Sequence, residues 1–192
     1  NPFAAAPEEG LLSSLTGSSG TPAQLQEVTD LQFDTLSATY LLVSYQYYII
    51  LWDIEEAEQM HIFDRTPALI TSINWLSWTA GNFVVTNAKS AVVSIFNVSQ
   101  KQPIESLKLV APTGAASGTA TGTWNSAGVL SAVVSASQRS MWLSLLDGSL
   151  LYYNLQRHQV EYHSPAGHTE TIFDCKYCPY SPDVVATVSF GK

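Results

Sequence analysis

Residues 48–54 read YIILWDI, an apolar run that closes on an aromatic, an acid and an aliphatic. The same ending returns as Phe96-Asn97 in AVVSIFNV, residues 91–98, and as Tyr153-Asn154 in SLLYYNL, residues 149–155. Trp52 and Phe96 stand 44 positions apart, whereas Phe96 and Tyr153 stand 57 apart. The longer interval contains VAPTGAASGTATGTWNSAG, residues 110–128, a Gly/Ala/Thr-rich insertion between apolar runs. A sequence that repeats its own strand endings at such a period is an array of similar units.

Outward from these three endings lie further short runs: YLLVSYQ from 40, NFVVTN from 82, VLSAVVS from 129, MWLSLL from 141 and VVATVSF from 184. They are rich in Val, Ile, Leu, Tyr and Trp and bounded by turn residues, as strands are. Most are apolar at consecutive positions, which predicts strands covered on both faces. No stretch carries a 3.6-residue stripe, so the expected class is all-β.

A unit of about 40 to 45 residues with four strands, ending in Trp-Asp or a relative of it, resembles a blade of the WD-repeat β-propeller family. Gly167-His168 adds a second element of that resemblance, followed by TETIFDCKYCPYSPDVVATVSF, residues 169–190, which reads as the first two strands of a blade. ITSINW (70–75) and VTDLQF (28–33) read as the same first strand without the Gly-His. Two stretches, 97–109 and 166–190, are similar to the N-terminal propeller of one large member of the family. The resemblance implies that Trp52, Asp53, Phe96, Asn97, Tyr153, Asn154, Gly167, His168 and Ser189 are structural signature residues. It further implies that His168 and Ser189 belong to a buried polar network that pins a blade. The acid of the turn that would complete this network is absent, because Phe190 is followed by Gly191-Lys192.

On this reading residues 1–24 are a flexible leader rich in Ala, Ser, Gly and Pro, and 25–192 form a partial propeller. Its blades are expected at about 27–65, 67–109 and 129–164, with a half blade at 167–192 and the insertion at 110–128. Closing a ring takes roughly 4 to 8 blades. Three and a half blades are therefore expected to belong to a longer chain, or to be completed by another one, and the absence of an initiating Met agrees with the first.

Composition bounds the partners. Hydrophobic residues make up 46% of the chain and charged residues only 12%; 8 Lys+Arg stand against 16 Asp+Glu, for a net charge of −8. So few cations argue against a nucleic-acid surface. The longest apolar stretch, Tyr40 to Trp52, has 13 residues and is interrupted by Ser44 and Gln46. A membrane span needs roughly 20, so none is expected. The acidic N-terminus does not read as a secretory signal, and two cysteines fit a reducing compartment better than a disulfide framework.

Candidate chemistry is sparse. Cys175-Lys-Tyr-Cys178 invites a metal or redox reading, but residues three apart on a strand face opposite ways. The same alternation separates His158, His163 and His168, which are spaced by five. No nucleophile elbow, zinc-binding H-E-x-x-H, P-loop or dinucleotide fingerprint is present, so no catalytic, cofactor-binding or metal residues are assigned. Asp53, Asp147 and Asp174 fall at turn or strand positions, where structural roles are expected. Asn1-Pro2-Phe3 matches a short endocytic recognition tripeptide, and Asn97-Val98-Ser99 is a sequon at a strand end. Tyr45, Tyr47 and Tyr48 are the partner-binding candidates, since clustered aromatics anchor protein partners.

The resemblance implies a non-enzymatic scaffold that binds proteins within a multi-subunit assembly, in the cytoplasm and in transport, ciliary or cytoskeletal machinery. The alternative expectation is a substrate-recruiting or regulatory subunit of an enzyme complex such as a ubiquitin ligase.

Overall fold

The computed structural model describes residues 27–110, 127–164, 168–178 and 180–191. The leader, Asn1-Pro2-Phe3, Gly167 and most of the insertion lie outside the described residues. All elements among the described residues are strands. They form three four-stranded antiparallel sheets and one hairpin, each in simple sequence order. The first sheet holds β1 (Val28–Phe33), β2 (Tyr40–Tyr45), β3 (Ile49–Asp53) and β4 (Glu58–Ile62). The second holds β5 (Ile70–Trp75), β6 (Asn82–Asn87), β7 (Val92–Asn97) and β8 (Glu105–Lys108). The third holds β9 (Val129–Ser135), β10 (Ser140–Leu145), β11 (Leu150–Asn154) and β12 (Gln159–Ser164). The hairpin pairs β13 (Ile172–Cys178) with β14 (Ser181–Ser189).

Successive sheets meet through their first strands: β1 packs on β5, β5 on β9 and β9 on β13. Each second strand supports the next first strand, β2 on β5, β6 on β9 and β10 on β13. This places β1, β5, β9 and β13 innermost and leaves the fourth strands outermost, which is the arrangement of propeller blades. The consecutive apolar runs of the second and third sheets are explained by it, because their middle strands are covered by a neighbour on either side. β4 and β8 depart from the expected coverage: β4 is exposed at Glu58, Gln59 and Met60, and β8 buries only Leu107.

Two clusters fill the spaces between sheets. Leu42, Ile49, Leu51, Ile73, Phe83 and Phe96 join the first sheet to the second. Phe63, beyond β4, meets Phe83 edge-on at 5.1 Å and Phe96 at 5.8 Å, so the first sheet is keyed into the second by an aromatic triad. Val84, Val93, Leu107, Met141, Leu143, Leu151 and Tyr153 join the second sheet to the third. Removing an aromatic such as Phe83 from so filled a space costs about 3–5 kcal/mol.

Each first strand is bulged at its second residue: Thr29, Thr71, Leu130 and Phe173 all stand where the pairing register shifts. A bulge frees one residue from the ladder and sharpens local twist. In the second sheet it turns Thr71 toward the third, where Thr71 Oγ1 donates to Val129 O at 2.6 Å.

Candidate interaction surface

The turns sort onto two faces. The upper face carries the β2–β3, β6–β7 and β10–β11 turns with the segments linking one sheet to the next. The lower face carries the turns after the first and third strands. On the lower face the two turns of each sheet are tied by one backbone bond in every repeat. Ile54 N donates to Thr39 O at 3.0 Å, Val98 N to Gly81 O at 2.9 Å and Leu155 N to Arg139 O at 3.0 Å.

The signature acids and amides serve these turns. Asp53 Oδ1 accepts from the amides of Glu55 at 2.9 Å and Glu56 at 3.1 Å. Asn97 Oδ1 accepts from Ser99 N at 2.9 Å, and its Nδ2 donates to Asn82 Oδ1 at 2.6 Å. Asn154 Oδ1 accepts from the amides of Gln156 at 2.9 Å and Arg157 at 3.0 Å. A short Asx side chain that bonds the backbone two or three residues on is a turn former in its own right. The aromatic before each one packs inward: Phe96 and Tyr153 are buried, and Trp52 is half-buried opposite Leu41 and Gln59. Burial and the Glu105 carboxylate push the Tyr153 phenol above its usual range.

At the hairpin His168 and Ser189 take different partners. His168 Nε2 lies 2.8 Å from Thr187 Oγ1, whereas Ser189 Oγ donates to Glu170 O at 3.1 Å. The hydroxyl that meets the histidine is thus two residues earlier than Ser189. The register explains it: Ser189 pairs with Ile172 at the very start of the hairpin, and Thr187 sits further inside opposite Cys175.

The three tyrosines occupy the upper-face turn of the first sheet. Tyr45 closes β2, while Tyr47 and Tyr48 lie in the turn rather than on the strands. Tyr45 N donates to Tyr48 O at 2.8 Å, and Tyr47 O accepts from Thr66 N at 2.9 Å. All three rings are half-buried, and the Arg65 guanidinium stands 4.5 Å from the centre of the Tyr47 ring. Such a stack of cation on ring holds both side chains in place at a surface. Burial raises the Tyr45 phenol above its ordinary range.

The remaining candidates separate. Cys175 is buried and Cys178 half-buried, with a register shift between Tyr177 and Cys178. Cys175 Sγ lies 3.8 Å from Ser131 Oγ, and burial pushes its thiol up to about 11. His158 sits in the β11–β12 turn with its Nδ1 3.2 Å from Glu105 Oε1, His163 is on β12 and His168 precedes β13. They do not share a strand, so the alternation expected of them does not apply. Among the described residues no group of three or more His, Cys, Asp or Glu converges as a metal site. Nor is any helix there long and apolar enough to cross a membrane.

Sequence reasoning missed a ladder between the inner strands. The third residue of each first strand is polar: Asp30, Ser72, Ser131 and Asp174. Asp30 Oδ2 accepts from Ile73 N at 2.9 Å, Ser72 Oγ from Ala132 N at 3.2 Å, and Ser131 Oγ donates to Asp174 Oδ1 at 3.0 Å. Every step therefore carries one bond from sheet to sheet. The available signal was one polar position recurring within apolar strands.

With this geometry in hand, comparison with known proteins supports the fold. No protein family matches the sequence in a family scan. Among solved structures the chain is similar to the β-propeller domain of Cps50 (Swd1) from Myceliophteria thermophila, with a TM-score of 0.61 and 17% identity over 78% of this chain. It is also similar to a chain of the mitotic checkpoint complex, with a TM-score of 0.66 and 11% identity over 86% of this chain. In both cases the match spans 45% of the other chain. The chain thus has the fold of part of a β-propeller, all-β and built of four-stranded antiparallel blades.

Proposed function

We propose that the chain is part of a non-enzymatic WD-repeat scaffold that presents a protein-interaction surface within a larger multi-subunit assembly. The observation that carries this is the upper-face cluster of Tyr45, Tyr47, Tyr48 and Arg65, where the 4.5 Å stack of Arg65 on Tyr47 keeps large rings ordered at a half-buried surface. Ordered Tyr and Arg side chains are the residue types on which protein partners concentrate their binding energy. The described signature residues Trp52, Asp53, Phe96, Asn97, Tyr153 and Asn154, by contrast, are engaged in turns and packing.

Similarity to a propeller domain and to a chain of a multi-protein complex supports the scaffold class. Residues 97–109 and 166–190 resemble WD repeat-containing protein 17, and we read the chain as a propeller of that kind, working in the cytoplasm in transport, ciliary or cytoskeletal machinery. Affinity purification with mass spectrometry tests this, comparing the unaltered protein with a Tyr47→Ala, Tyr48→Ala double variant. Loss of a discrete set of cytoskeletal or transport proteins in the variant is expected. Recovery of ubiquitin-ligase subunits instead would favour the substrate-recruiting reading, and an unchanged set would remove the tyrosine surface from the proposal.

A further inference from the structure

A cavity of about 420 Å³ opens between the first and second sheets on the lower face, away from the tyrosines. That volume is in the range of pockets that hold ligands. Leu36, Tyr40, Leu51, Met60 and Trp75 supply most of its walls, and His61 lines it beside Met60. The pocket is firm on one side. Trp75 Nε1 donates to Gln32 O at 3.1 Å, and the His61 ring is held edge-on against Phe63 at 4.7 Å. It is open on the other, where Leu36 is 63% and Met60 49% exposed. His61 Nε2 is buried and makes no hydrogen bond among the described residues. The ring is therefore fixed in the wall by packing rather than by a hydrogen bond.

Charge narrows the occupant. Residues 28–62, the first sheet, hold Asp30, Asp34, Asp53, Glu55, Glu56 and Glu58 and no Lys or Arg. Asp34 lines the cavity, and its carboxylate accepts from Leu36 N at 3.1 Å and Ser37 Oγ at 2.6 Å. The Asp53–Glu58 turn lies beside it, tied by the bond from Ile54 N to Thr39 O. An apolar hollow with Asp34 in its wall and a first sheet whose charges are all acidic favours a segment that is apolar at its centre and basic at its flanks.

Resting on the scaffold reading, we propose that this pocket docks a short basic segment of a partner protein. The segment inserts one or two bulky apolar side chains beside Trp75 and Met60 and sets Lys or Arg against the acids of the first sheet.

The chain's two methionines make a direct test, because Met60 lines the pocket while Met141 is buried in the second cluster. The full chain carrying methyl-¹³C methionine is titrated with the hexapeptide Arg-Lys-Leu-Leu-Lys-Arg. Its controls replace the two leucines by alanine, or the four basic residues by glutamate. The expected result is a saturable shift of the Met60 methyl with Met141 unmoved, weakened at least about fivefold on raising salt from roughly 0.05 to 0.5 M. Both controls should leave Met60 in place, and Leu36→Glu should abolish the shift with the Met141 signal intact. A silent Met60, or equal binding of the acidic peptide, overturns the proposal. If Leu36→Glu keeps every partner of the unaltered protein, including those that the tyrosine variant loses, the scaffold reading survives and the pocket alone is refuted.

Discussion

The hydroxyl of Ser131 donates to the carboxylate of Asp174 at 3.0 Å, and the two residues hold the same position in successive innermost strands. Asp174 also accepts from Cys175 N at 2.8 Å and Lys176 Nζ at 3.1 Å. Ser131→Ala removes Asp174's bond to the neighbouring sheet, together with the Cys175 contact to the same hydroxyl, and leaves the local ones. A loss of about 1–2 kcal/mol is expected, read from urea unfolding. The amides of β13 should lose hydrogen-exchange protection before those of β10.

How much of this was legible beforehand follows from which groups carry apolar signal. The middle strands announce themselves, because Leu42, Ile50, Val84 and Leu143 are covered on both sides and the sequence must be apolar there. β4 does not: Glu58–Ile62 faces solvent along most of its length and has no run to find. The roles of Asp53 and Asn97 could be read because an Asx turn is local. The partner of His168 could not, since Thr187 and Ser189 share one strand face and only the register of the hairpin chooses between them. The cavity was equally hidden, being built from residues of five separate segments.

Gly128 offers a sharp packing test. A side-chain carbon there would lie 2.0 Å from Ala88 O and 2.3 Å from the Ala88 carbonyl carbon. Both obstacles are backbone, so the third sheet would have to move away from the second. Gly128→Ala should destabilise by about 3 kcal/mol, at the upper end of overpacking costs, as measured by thermal or denaturant unfolding.

Ala38, Ala57, Arg139 and His158 have φ between 47° and 56°, all in lower-face turns. A side chain in the left-handed region costs roughly 1–2 kcal/mol, while glycine adds unfolded-state freedom of about 0.4–1 kcal/mol. Ala57→Gly should therefore raise stability by about 0.5 kcal/mol. An unchanged or lowered denaturation midpoint would show that the strain is relieved in some other way.

The cysteines should differ in reactivity. Burial pushes the Cys175 thiol up to about 11, from an ordinary value of 9.0. A thiol-specific reagent at pH 8 should modify one cysteine in the folded chain, Cys178, and two in urea. The raised value has a stability consequence with a definite sign. Cys175 stays protonated in the fold where the unfolded chain ionises, so its contribution is complete below about pH 9. It is lost as pH rises toward about 11. Cys175→Ser should flatten that part of the stability profile.

His163 should act at the other end of the scale. Burial lowers its affinity for a proton, with Asp147 opposing, so the folded-state value lies below 6.5. The unfolded chain then binds the proton first. Stability due to this residue is complete above about pH 6.5 and falls as pH drops through the folded-state value. His163→Gln should reduce the acid-side decline in a melting series.

The ladder of third residues also fixes how the molecule yields to force. Asp30 to Ile73, Ser72 to Ala132 and Ser131 to Asp174 all lie at the inner radius, where the first strands touch. The outer parts of the sheets add contacts such as His158 to Glu105 and Gln102 to Asp64. A load that draws the rim apart must first open the packed clusters between the sheets, and this inner line of bonds parts last, so the sheets spread like the leaves of a fan about a fixed pin.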